Sequence, residues 1–80
     1  MPKLILYGRR DCHLCEVAKE VVERLQRRLD FDVEERDVDD DPDWTRRFGD
    51  EVPVGLIGEH KVFKIRVDQD KLERALLSDR

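Results

Sequence analysis

Long apolar stretches are missing from this chain. The longest run, Leu4 to Tyr7, has four residues, too short for a signal-peptide core or a membrane-spanning helix. The sequence therefore predicts a cytoplasmic protein with no membrane partner. Nor does one sign of charge dominate: 16 Lys and Arg against 20 Asp and Glu leave a net charge of -4, with both signs mixed along the chain. Such a distribution lacks the concentrated positive field that a phosphate backbone requires, so nucleic acid is not an expected partner. Cysteine is scarce, with two residues in 80. That excludes a disulfide scaffold, which carries more cysteines at wider spacing.

What is present is one small domain, residues 1–80, because a chain of this length buries only about 60% of its unfolded surface and cannot divide into two cores. A monomer is expected. Charged residues make up 45% of the chain and the hydrophobic set 39%, so the core must come from sharply segregated apolar positions. No internal repeat, linker or low-complexity tract interrupts it.

Lys3 to Tyr7 reads as a buried strand stopped by Gly8. The period then becomes helical: Leu14, Val17, Ala18, Val21, Val22, Leu25 and Leu29 form one apolar stripe, with charges opposite it. Glu20 with Arg24 and Glu23 with Arg27 have the spacing of i, i+4 ion pairs. Phe31 to Val38 alternates imperfectly and suits an edge strand, whose charges deter pairing with other chains. In DDDPDWTRRFGD, Asp41 is an N-cap, Pro42 the first helical residue and Gly49 a terminator, which makes a short helix carrying Trp44 and Phe48. Val54 to Ile57 and Lys61 to Ile65 flank Gly58, Glu59 and His60 as a β-hairpin. Asp68 caps a last helix, with Val67 stapled on Leu72. The expected fold is α/β, in the order β-α-β-α-β-β-α, with a four-stranded mixed sheet flanked by helices.

Both cysteines lie in DCHLCEVAKEVVERL, at the junction of the first loop and the long helix. Cys12 falls at the N-cap or the first helical position, with Asp11 as the competing cap. Free backbone N–H groups and the positive end of the helix dipole favour a thiolate there; Arg9 and Arg10 add positive charge, and Asp11 opposes it. Cys15 lies nearly one turn further on, so its sulfur can approach that of Cys12. The spacing assigns Cys12 as nucleophile and Cys15 as resolving thiol in thiol-disulfide exchange. His13, between them, either stabilises the thiolate as an imidazolium or faces solvent. His60 reads as a solvated turn residue.

Two other classes share this pattern. A metal-binding or metal-delivery module could use the C-x-x-C pair. Its further candidate ligands are His13 and His60 alone, however, and structural zinc normally takes four protein ligands. The third class is an interaction module without chemistry of its own.

The arrangement of LILYG, Cys12-His13-Leu14-Cys15 at a helix start, RDVDDD, EVPV, a hairpin and a final helix resembles the thioredoxin superfamily, and within it a short glutaredoxin-like protein. The resemblance covers nearly the whole chain. It implies a thioredoxin-like fold and a cis peptide bond before Pro53. That bond would leave the Val52 backbone free to pair with an extended substrate beside the sulfurs. It implies a disulfide-containing protein or small molecule as substrate, no bound cofactor, and glutathione or a reductase for recycling. Arg9 matches the position of a lysine that contacts a glutathione carboxylate, and Asp68 an acidic residue that contacts its amino end. The chain departs from the pattern at the dithiol, which lacks the Pro-Tyr of C-P-Y-C. It also carries Arg66 and Val67 in place of a glycine pair, and their side chains obstruct the close approach of a tripeptide to the backbone.

Overall fold

The strand β1 (Lys3–Gly8) leads through a loop into the long helix α1 (His13–Gln26), and β2 (Asp32–Asp37) returns beside β1. A 3-10 turn (Val38–Asp40), the short helix α2 (Pro42–Phe48), the hairpin β3 (Val54–Ile57) and β4 (His60–Lys64), and the helix α3 (Gln69–Ser78) complete the chain. This is a computed structural model that describes residues 2–78; positions 1, 79 and 80 of the expected domain lie outside the described residues. The four strands stand in the order β2-β1-β3-β4, with β1 and β2 parallel and the other pairs antiparallel. Element order and mixed sheet are those expected, and β2 is an edge strand. No described helix is long and apolar enough to cross a membrane.

Alternation along β1 gives the one domain an apolar cluster on each face of the sheet, because successive side chains of a strand point to opposite faces. Leu4 and Leu6 pack with Ala18, Val22 and Leu25 of α1 and with Leu72 and Leu76 of α3. Tyr7 faces the other way, onto Val38, Phe48 and Val54, and Trp44 closes that cluster edge-on to Tyr7 at 5.6 Å. Burying each of these large side chains contributes on the order of 1.5–3 kcal/mol. The α1 stripe thus anchors the dithiol helix on one face of the sheet, while α2 covers the other.

Several local expectations need correction. The helix α1 ends at Gln26, and Leu29 packs on the core from the following turn, where its N–H reaches the Leu25 carbonyl. The pairs Glu20–Arg24 and Glu23–Arg27 are not formed. Charges of α1 and its end reach other elements instead, Lys19 to Glu35 at 3.4 Å and Arg28 to Glu73 at 3.0 Å. His60 is not a turn residue: it pairs with Ile57 as the first residue of β4, so the hairpin loop is Gly58 and Glu59, with Gly58 at φ 61. Ile65 lies outside β4, at φ 68. Asp41 and Asp68 do cap, accepting from the N–H groups of Asp43 at 2.8 Å and Lys71 at 3.2 Å.

Candidate active site

Sheet register decides where the site lies. Gly8 pairs with Asp37 at the C-terminal ends of β1 and β2, and Tyr7 pairs with Val54, the residue after Pro53. The β1–α1 loop, the end of β2 and the start of β3 therefore meet at one edge of the molecule. Asp11, at φ 56, reverses the chain there. Cys12, extended at φ -111 and ψ 109, then becomes the N-cap of α1, and Asp11 is not the cap.

The Cys12 Sγ accepts the Cys15 N–H at 3.3 Å, taking the part a Ser or Asp oxygen usually plays in satisfying a free helix N–H. The Cys15 Sγ–H points at the same sulfur, with the two sulfurs 2.6 Å apart. Both thiols are free and half-buried. A disulfide closes at about 2.04 Å, so the two sulfurs are within short reach of bonding. Burial and the bond to Cys12 push the Cys15 thiol up from 9.0 to about 11, against the opposing pull of the Arg9 backbone N–H. The backbone of Gly8 lies directly behind Cys15, where an added Cβ would meet its sulfur at 3.5 Å.

The sulfurs open into a groove of about 470 Å³ whose lining includes Arg10, Lys19, Asp37 and Pro53. The Val52–Pro53 peptide bond is cis, with Pro53 buried and Val52 half-buried. Arg10 is almost fully exposed and lies 3.8 Å from Asp37. His13 is exposed in the first turn of α1. Arg9 holds a bridge: Nε and Nη2 donate to the Asp39 carboxylate at 3.0 and 3.2 Å, and Nη1 donates to the Gly49 carbonyl at 3.1 Å. The Asp39 carboxylate above all, with Asp37 and Asp50 further off, holds the guanidinium's pKa above its ordinary value. Asp68 serves α3 as its cap. The structure thus brings Cys12, Cys15, Arg9, Arg10 and Pro53 to one groove, and His13, Val52 and Asp68 do not line it. The guanidinium of Arg9 and the carboxylate of Asp68 are already engaged in protein contacts.

Lys19 and Asp37 line the groove as well, although in the sequence they have the look of a solvent-facing helix residue and a strand end. A signal for Asp37 did exist. In a parallel β-α-β unit the carboxyl ends of the strands share one edge, and ligand crevices form there. Among the described residues no three His, Cys, Asp or Glu side chains converge as metal ligands.

A family model described as Glutaredoxin-like domain (DUF836) matches residues 3–77. The chain is 38% identical over 72 residues to the glutaredoxin-like protein YDR286C homolog of Dictyostelium discoideum, covering 82% of this chain and 67% of that one. The solution structure of protein Ne2328 from Nitrosomonas europaea superposes with a TM-score of 0.82 at 30% identity, over 92% of this chain and 89% of that chain. At 21% identity, the glutaredoxin of Archaeoglobus fulgidus shares the thioredoxin-like fold with a TM-score of 0.61, over 95% and 87% of the two chains.

Proposed function

The chain belongs to the glutaredoxin-like domain family, and on that basis we propose that it is a thiol-disulfide oxidoreductase working through reversible exchange at Cys12 and Cys15. The observation that carries this reading is the pair of free sulfurs 2.6 Å apart at the start of α1, open to a groove. A thiol that keeps its proton up to about pH 11 is a poor first nucleophile, which leaves the first attack to Cys12.

The Cys12 thiolate attacks one sulfur of a substrate disulfide, forming a mixed disulfide and expelling the other sulfur as a thiolate that takes up a proton. Cys15 then loses its proton and attacks the Cys12 sulfur, expelling the second substrate thiolate. The substrate gains two electrons, and the protein leaves as the Cys12–Cys15 disulfide. Recycling reverses the sequence with two equivalents of glutathione or with a reductase dithiol. We assign protein or small-molecule disulfides as substrates, in a compartment such as the cytoplasm that keeps thiols reduced.

Cys12→Ser should abolish turnover of a disulfide substrate, and Cys15→Ser should accumulate the Cys12 mixed disulfide, seen as an adduct by intact-mass spectrometry. Full dithiol turnover by Cys12→Ser would overturn the assignment. Recycling rates with glutathione and with a thioredoxin reductase then identify the electron donor.

A further inference from the structure

The turn that follows β4 is built around an isoleucine in a conformation that isoleucine disfavours. Ile65 has φ 68, and the Arg66 N–H donates to the Lys64 carbonyl at 2.7 Å, closing a three-residue γ-turn of the positive-φ kind. Such turns are rare and strained, and a β-branched residue at positive φ is an outlier. The turn is held from outside itself: the Ile65 N–H donates both to the Glu51 carbonyl and to the Pro53 carbonyl, each at 2.9 Å. The side chain gains little burial in return, remaining 42% exposed. Neither backbone conformation nor core packing accounts for a large apolar residue here, and strained residues of this kind concentrate at functional sites.

Register places this turn at the end of the sheet from which the dithiol loop leaves. Val54 pairs with Tyr7 on one side and with Lys64 on the other, so the turn stands at the same end of the sheet as Gly8. With adjacent strands about 4.8 Å apart, it lies about 10 Å across the sheet from the end of β1. Lys64 and Arg66 flank Ile65, and both are exposed. Among the described residues neither forms an ion pair, and Lys61 takes the nearby Glu51 carboxylate at 2.8 Å. The Lys64 charge also acts on that Glu51 carboxylate, and Asp68, two residues after Arg66, caps α3.

We infer that Lys64, Ile65 and Arg66 form the specificity element of the exchange reaction, selecting a protein disulfide whose neighbouring segment presents an apolar residue between carboxylates. The inference rests on the exchange reading of Cys12 and Cys15. Its chemistry is charge complementarity around an apolar contact: Ile65 buries against the partner's apolar side chain while the two cations meet its acids.

The test separates recognition from turnover. Binding of two short peptides is measured by fluorescence anisotropy on the full chain carrying Cys12→Ser and Cys15→Ser. Both peptides have a blocked cysteine beside a leucine, and they differ only in acidic or basic flanks. The acidic peptide is expected to bind about tenfold more tightly, with the gap shrinking as salt is added. Lys64→Glu with Arg66→Glu should invert the preference. Ile65→Asn, a residue that tolerates positive φ, should keep or raise the melting temperature and weaken both peptides alike. Equal binding of the two peptides, or an unchanged preference after charge reversal, overturns the inference. So does unweakened binding by Ile65→Asn. Reduction of the corresponding peptide disulfides by the unmodified chain is scored separately. Turnover without the acidic preference defeats the specificity element and leaves the exchange reading; selective binding without turnover does the reverse.

Discussion

Cys15 carries a stability contribution that only the reduced protein can show. Its thiol is pushed from 9.0 to about 11, chiefly by burial and then by the bond to Cys12. Between those two values the unfolded chain has released this proton while the folded chain keeps it, so stability falls with rising pH in that window. The contribution is complete below 9 and is lost as the pH passes through about 11. The oxidised protein has no such proton. Thermal melts of the reduced protein across this window should therefore lose more than melts of the disulfide form or of Cys15→Ser. Parallel curves for all three would show that the folded environment does not hold the Cys15 proton. The backbone behind that sulfur leaves room for a methyl group, since a Cβ added at Gly8 would stand at ordinary van der Waals distance from it, 3.5 Å.

Among the elements, the β3–β4 hairpin has the least room. The Phe63 ring lies across Gly55, its cross-strand partner, and a Cβ on Gly55 would stand 2.2 Å from Cε2 and 2.6 Å from Cζ. Gly55→Ala must push that ring out of the core it shares with Leu4 and Leu72, at an overpacking cost of about 1–3 kcal/mol. Urea denaturation should show the loss as a lower midpoint at unchanged slope; a midpoint equal to that of the parent would mean that the ring has another place to go. How far each element can be read from sequence follows from how local its cause is. The helix α1 was legible because the apolar stripe through Ala18, Val22 and Leu25 is itself the cause of its burial. The caps Asp41 and Asp68 were legible because a cap is a contact between near neighbours. Ile65 read as the end of a strand because its conformation depends on Glu51 and Pro53 claiming its N–H, a tertiary demand with no local signature. His60 reads as a turn residue but opens β4, because Gly58 at positive φ permits a two-residue turn. The dithiol itself is legible, but the groove is not, because its walls come from β1, α1, β2 and Pro53 at once.

Across the whole molecule, the β1–α1 loop belongs to both faces of the sheet. Through Cys12 and Cys15 it starts the helix that packs on the Leu4 and Leu6 side. Through the Arg9 guanidinium it grips Asp39 and the Gly49 carbonyl, where the 3-10 turn and α2 end, on the Tyr7 side. The same residue's backbone N–H draws down the Cys15 thiol. A clamp of this kind couples the packing of α2 to the chemistry of the sulfurs. Arg9→Met should lower the melting temperature of the reduced protein, and Asp39→Asn should do the same. The two changes together should cost less than the sum of the separate losses, because both break one bidentate contact. A merely structural clamp would leave the dithiol untouched. Here Arg9→Met should also shift the Cys12–Cys15 redox equilibrium measured against a glutathione buffer, because the loop that presents the N–H to Cys15 loses its anchor. Arg9→Lys should restore part of that shift, since a single ammonium can hold Asp39 or Gly49 but lacks the planar fork that holds both. Strict additivity of the two losses, or an equilibrium constant that ignores Arg9, would separate the clamp from the dithiol and reduce Arg9 to a surface ion pair.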